Sequence, residues 1–238
     1  MLRVRPEFAH PWRVSAEEAR EIQRRLAAHV RLRPLPAEGP GSPRLAAGID
    51  LGYDLPGDRA WAAAVVMDER FDVVERRVAC GEPDMPYVRG YLAFREGRLT
   101  LAVLQLLEHV PDVVFLDGHG VVHERGLGLA SHAGVLLDVP TVGVPKTPFH
   151  AIDRQPEPGR GSYYVLTKEW GAQGASIRLR DGSKAVYVSP GHLVDLRSSI
   201  ALAMRWSTGA HRVPEPLAAA HTLSRLAILG DVPCDLEA

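Results

Sequence analysis

"DVVFLDGHGVVHERGLGLASHAGVLLDVPTVGVPK", residues 112–146, decides the fold. Its first six residues are an almost unbroken apolar run closed by an aspartate, the pattern of a strand buried on both faces. "PTVGVPK" (140–146) is a second such run, and "GLGLASHAGVLLD" (126–138) between them reads as a helix. Two buried strands joined through a helix make a parallel strand–helix–strand unit. Ligands collect outside the carboxyl ends of such strands, where Asp117 stands. Five glycines and three histidines share residues 115–134 with it. A carboxylate, pliable backbone and imidazoles are thus crowded where a strand stops.

Upstream, "RLAAGIDLGYD" (44–54), "AWAAAVVMD" (60–68) and "FDVVERRVAC" (71–80) read as strands, the first two joined by a turn at "LPGDR" (55–59). Their short connections predict an antiparallel meander. "REGRLTLAVLQLLEHV" (95–110) is an amphipathic helix, with Leu99, Val103, Leu106 and Leu107 near the 3.6 period. A proline-bearing loop, "EPDMPYVRG" (82–90), precedes it. Downstream, "GSYYVLTKEW", "ASIRLR" and "KAVYVSP" read as strands, followed by helices at 192–207 and 215–229. At the other end, residues 15–30 form a helix with Ser15 as N-cap and Glu18 completing a capping box. A Pro/Gly-rich connector (33–43) follows it.

Three antiparallel strands, a helix, then parallel strand–helix–strand is the order of an α/β, ribonuclease H-like mixed sheet flanked by helices. The first strand then sits mid-sheet beside the fourth. We expect a single domain over 1–238, its core at about 44–206, with the N-terminal helix 15–30 packed on it. Actin-like kinases open similarly, so the order narrows the site without naming the reaction.

A hydrophobic fraction of 46% and a charged fraction of 24% suit a soluble globular protein. No apolar run is long enough for a membrane span, and the first residues lack the apolar segment of a secretory signal. Two cysteines make no disulfide framework and fit a reducing compartment, so a cytoplasmic location is expected. The net charge of −1 argues against nonspecific coating of nucleic acid. Residues 1–35 nevertheless carry eight arginines against four glutamates, enough for a local basic face.

Asp50 interrupts "AAGIDLG", where a buried carboxylate is costly unless paired or bound to metal. If strands 44–54 and 112–117 are neighbours, Asp50 and Asp117 face each other and need a proton or cation between them. Oxygen-only donors suit Mg²⁺ or Mn²⁺. Glu96 can supply a third. Read alone, each has a plainer alternative: a solvent-facing strand aspartate, a turn aspartate before Gly118, a first-turn glutamate favoured by the helix dipole. His119 and His123 have an i, i+4 spacing, but the glycines argue against a helix there, and neither HExxH nor paired cysteines support zinc.

On the stretches "GIDLGY", "MPYVRGYLAFREG", residues 111–146 and "RVPEP", the chain resembles the endonuclease V family of deoxyinosine 3′-endonucleases over nearly its whole length. The family's ribonuclease H-like fold agrees with the strand order. The resemblance implies that Asp50, Glu96 and Asp117 hold Mg²⁺, with Mn²⁺ as substitute. It also implies that His221 and Lys146 join them in catalysis. "MPYV" (85–88) matches a wedge that enters the DNA helix beside the damaged base, so Pro86, Tyr87 and Val88 become substrate-binding. Arg89 stands where the family has a second proline. Gly90, Leu92, Gly118, His123, Gly128 and Leu129 match a pocket for the flipped base, and Gly118, Gly120 and Gly128 are expected to let backbone approach it.

The implied activity is hydrolysis of the second phosphodiester bond 3′ of deoxyinosine, by a monomer acting on DNA with no membrane role. Inosine-containing RNA as substrate, a non-catalytic nucleic-acid-binding module, and a kinase suggested by "GIDLG" alone are the alternatives.

Overall fold

Short side chains let one strand sit at the centre of everything else. In a computed structural model describing residues 1–54, 59–150, 154–167 and 173–238, β1 (Leu45–Tyr53) is flanked on both edges. On one edge it pairs antiparallel with β2 (Ala60–Asp68), which pairs antiparallel with β3 (Val73–Gly81). On the other it runs parallel to β4 (Val113–Leu116), itself parallel to β5 (Thr141–Gly143). Beyond β5 the sheet continues antiparallel through β8 (Val186–His192), β7 (Gln173–Ile177) and β6 (Tyr163–Thr167). A short β9 (Leu236–Glu237) closes the far edge parallel to β3. The first strand beside the fourth is the ribonuclease H-like order.

Strand alternation divides the core. Val113 and Phe115 of β4 face one hydrophobic cluster, and Val114 and Leu116 face the other. The first cluster also holds α4 (Leu196–Arg205) and α5 (Glu215–Leu229); the second holds α2 (Leu92–Gln105) and α3 (Leu129–Leu137). Helix α1 (Ala16–Ala27) packs on α3. Its capping box is present: Glu18 N–H donates to Ser15 Oγ (3.3 Å), and Ser15 N–H donates to Glu18 Oε2 (2.8 Å).

Several boundaries depart from the sequence expectation. Helix α2 begins at Leu92, not 95, so Glu96 lies beyond its first turn. It stops at Gln105 because the Glu75 carboxylate takes the N–H groups of Glu108 (3.0 Å) and His109 (2.9 Å), drawing the chain off the helical path. Helix α3 starts only at Leu129, since Gly126 has φ +69° and Gly128 N–H bonds to the Gly120 carbonyl (2.9 Å). Helix α4 starts at Leu196, where the Asp195 side chain caps the Ser198 N–H (2.7 Å); His192, expected in that helix, ends β8. The C-terminal helix is as read. The "LPGDR" turn falls largely at 55–58, and the end of "GSYYVLTKEW" at 168–170, both outside the described residues.

The cysteines require a correction. Cys80 on β3 and Cys234, 154 residues away, are joined as a disulfide that ties the tail carrying β9 to the sheet edge. They therefore lend no support to a reducing compartment. Among the described residues no helix is long and apolar enough to cross a membrane.

Glycine decides how closely α5 approaches β1. A Cβ at Gly48 would overlap the backbone of Pro216 and Leu217, and one at Gly52 would press on Ile228 and Ser224. Asp50, between them on the same face, is thereby brought under the helix. Gly48→Ala is expected to lower unfolding free energy by about 1–3 kcal/mol, the usual range for overpacking, because helix backbone rather than a side-chain tip must move. Urea denaturation of the purified variant measures it.

Candidate active site

Three carboxylates reach the carboxyl ends of β1 and β4 from different directions. Asp50 points to the α5 face of β1, where Oδ2 meets His221 Nδ1 at 3.0 Å and accepts from Ser224 Oγ at 3.2 Å. Glu96 comes from α2 on the other face, and Tyr53 Oη donates to its Oε1 at 2.6 Å. Asp117 follows β4 directly, its N–H bonded to the Ile49 carbonyl (3.3 Å). Lys146, just beyond β5, pairs with Asp117 and lies 4.0 Å from Asp50 Oδ1. The Arg212 side chain, from "RVPEP", donates to the Ala185 carbonyl (3.0 Å) and reaches that of Lys146 (3.5 Å), steadying this segment.

Two of the three acids are buried. Asp50 is 4% exposed and Glu96 9%, so neither is a solvent-facing acid. Burial, then the Asp117 charge, raises the Asp50 carboxyl above its ordinary value. Glu96 is pushed up to about 8 by burial and the charges of Asp117 and Asp50, against the lowering effect of the Tyr53 hydrogen bond. Among the described residues no group of three or more His, Cys, Asp or Glu is arranged to hold an ion as the side chains lie; the Lys146 ammonium supplies the countercharge instead. The donor chemistry still fits a hard divalent cation. The donors are carboxylate oxygens, two of them buried, and the mutual repulsion of three clustered acids is what such a charge relieves.

Beside the acids lies a cavity of about 260 Å³. All of the expected base-pocket residues, Gly90, Leu92, Gly118, His123, Gly128 and Leu129, line it, together with Asp117, Lys146 and, from the expected wedge, Tyr87. Pro86 and Val88 do not. Pro86 faces a neighbouring groove with Arg13 and Asp84, while Tyr87 and Val88 project outward, 69% and 45% exposed. Gly120 also departs from expectation, because its missing side chain makes room for the Pro190 carbonyl. Gly128, likewise, packs against the His119 and Gly120 carbonyls as well as facing the cavity.

The histidines divide. His123 Nε2 donates to the Gly90 carbonyl (3.0 Å) and Nδ1 accepts the Arg125 N–H (3.2 Å), which sets a neutral tautomer. Burial and the Arg125 charge bring its pKa down to about 3. His119 Nε2 meets the Thr147 carbonyl at 3.2 Å, and burial lowers that ring to about 4. His132 belongs elsewhere, buried against His10 (Nε2–Nε2 2.7 Å), Trp12 and Phe94.

Several contributors were not anticipated. Gln23 of α1 lines the cavity and donates to the Gly90 carbonyl (2.9 Å), as does Arg125 (2.8 Å). Arg89, also in the cavity lining, donates to the Phe149 carbonyl and lies over that ring at 5.2 Å. Ser224 was within reach of sequence reading, three residues after His221 on one helix face. Gln23 offers no local signal.

The Endonuclease V family model matches residues 24–222. The Endonuclease V of Kosmotoga olearia is 37% identical over 219 residues, covering 91% of this chain and 93% of that protein. The crystal structure of Endonuclease V from Streptomyces avermitilis superposes with a TM-score of 0.84 at 39% identity, over 97% of this chain and 99% of that one. Ciona intestinalis Endonuclease V, in complex with a 23mer DNA containing an inosine followed by a ribo-adenosine, shares the fold at 24% identity, with a TM-score of 0.78 over 92% and 100% of the two chains.

The histidine geometry carries a pH consequence. His119 and His123 are expected to keep the imidazole ¹⁵N pattern of neutral rings down to about pH 5, in an NMR titration of the labelled protein. From pH 6.5, the ordinary value, toward about 4 and 3, the unfolded chain takes up protons these rings refuse, so their contribution to stability declines as pH falls.

Proposed function

The chain belongs to the endonuclease V family, whose members are nucleases, and from that premise we propose that it cuts DNA at deoxyinosine, hydrolysing the second phosphodiester bond 3′ of the lesion. One observation carries this reading: Asp117 and Lys146 belong both to the cavity wall and to the acidic cluster. A base seated in the cavity would bring its own strand to the acids.

Taking a base out of the stack costs a few kcal/mol. Tyr87, exposed at the tip of its loop beside Pro86, is suited to fill the gap as an apolar wedge. Hypoxanthine differs from adenine in its O6 and N1–H edge, and in this reading the backbone near Gly118, which lines the cavity, would meet that edge. The neutral, doubly bonded His123 adds a fixed wall rather than a titrating one.

For the cut, Asp50, Glu96 and Asp117 would hold a divalent ion, Mg²⁺ with Mn²⁺ as substitute. Such an ion, when bound, supplies water activation and charge neutralisation at the phosphate. Lys146 then turns its ammonium to the charge that builds on the phosphate oxygens as the bond to the 3′ oxygen breaks. His221, with Nδ1 on Asp50, orients that carboxylate and can pass a proton to the departing oxygen through Nε2. The Ciona protein was crystallised with inosine-containing DNA, and the present reading assigns the same class of ligand here.

The test is end-labelled cleavage of a single-inosine duplex, with Mg²⁺ and with EDTA, beside an inosine-free duplex and a matched inosine RNA. The expected result is a Mg²⁺-dependent nick at the second bond 3′ of inosine in DNA. Cutting of the RNA alone would reassign the substrate. Asp117→Ala is expected to keep inosine-DNA binding while losing about a hundredfold or more in cleavage rate; wild-type turnover by that variant would sink the metal assignment.

A further inference from the structure

We propose that Tyr53 is a positioning residue for Glu96, and that through Arg95 it joins the wedge loop to the acidic cluster. The inference rests on the reading of Glu96 as one of the acids that hold a divalent ion.

Tyr53 is the last residue of β1, three beyond Asp50. Alternation along the strand sends the two side chains to opposite faces, Asp50 to α5 and Tyr53 to α2. A single strand therefore aims two of the three acids, one as its own side chain and one through a hydrogen bond. The phenol donates to Glu96 Oε1 at 2.6 Å. That bond commits one carboxylate oxygen and leaves the other for a second partner. Carboxylates that bind metal are usually themselves held by hydrogen bonds, and losing such a partner typically costs about tenfold to a hundredfold in metal affinity or activity.

The phenol ring is held in turn. The Arg95 guanidinium lies over it at 4.5 Å, and Arg95 Nη1 donates to the Met85 carbonyl at 2.9 Å. Met85 opens the "MPYV" segment that carries Tyr87. A continuous path thus runs from wedge-loop backbone to guanidinium, to aromatic ring, to carboxylate. A base drawn into the cavity cannot shift Met85 without loading the group that orients Glu96. The wedge and the acid are mechanically one unit.

Tyr53→Phe removes only the hydroxyl. Three quantities are measured beside wild type: Mn²⁺ affinity by electron paramagnetic resonance on the full chain without DNA, the dissociation constant for an inosine duplex, and the single-turnover cleavage rate at saturating enzyme. The expected result is an unchanged melting temperature and duplex affinity within about twofold, with Mn²⁺ affinity and cleavage rate each down about tenfold to a hundredfold. Arg95→Lys, which keeps the charge and loses the planar stack, is expected to be non-additive with Tyr53→Phe in cleavage rate.

Wild-type Mn²⁺ affinity and rate in Tyr53→Phe would overturn the proposal, as would strict additivity of the two substitutions. Glu96→Gln, run in parallel, separates the premises. If it binds Mn²⁺ as wild type does, the reading of Glu96 fails, whatever Tyr53→Phe shows.

Discussion

Carboxylates of like charge do not share a buried site unless something compels them to. Here the compulsion is packing. Asp50 is driven under α5 because Gly48 and Gly52 let the helix backbone descend onto β1, and Glu96 is carried in on a helix whose apolar face belongs to the opposite cluster. Asp117 needs no side-chain burial to join them, since β4 delivers it at the strand end. Each acid is then restrained by a neutral or cationic neighbour: His221 and Ser224 for Asp50, Tyr53 for Glu96, Lys146 for Asp117. The result is a cluster of carboxylates closely compensated by the groups around it. A hard cation and a phosphate both require such a place, the first for charge and the second for the cation.

The same point borders a cavity whose walls come from α1, the loop before α2, the start of α2, the β4 end, α3 and the segment after β5. No single element makes the pocket, which is why its shape depends on the order of the sheet. Parallel β4 and β5 place Gly118 and Lys146 on the same side, and the late start of α3 leaves Gly128 in extended backbone, where it can meet the cavity. The cavity and the acidic cluster are therefore neighbours by topology.

Much of this was legible from residues alone. The meander, the parallel unit and the C-terminal helix follow from runs of apolar residues and the lengths between them, and Asp50 and Asp117 stood out as acids where acids are costly. Element ends were less legible because tertiary partners set them: the Glu75 carboxylate that stops α2 is distant in sequence, and no local pattern marks it. Family resemblance, rather than spacing, supplied Lys146, His221 and most of the pocket. Tyr53, Gln23 and Arg125 stayed hidden because their roles exist only through contacts across the fold. The cysteine pair was missed for the same reason, since 154 residues separate two sulfurs that the sheet edge brings together.

The carbonyl of Gly90 accepts three donors, one from Gln23 of α1 and two, His123 and Arg125, from the 120s loop. Gly90 itself is left-handed, with φ +83°, so the chain turns sharply at the spot where it is most firmly held. In mechanical terms the wedge loop has a fixed foot. Beside the anchorage of Met85 on Arg95, this foot ties the loop that carries Tyr87 to α1 and the 120s loop. Under the proposed function, prying open a base stack is work for a lever, and this foot would be its fulcrum.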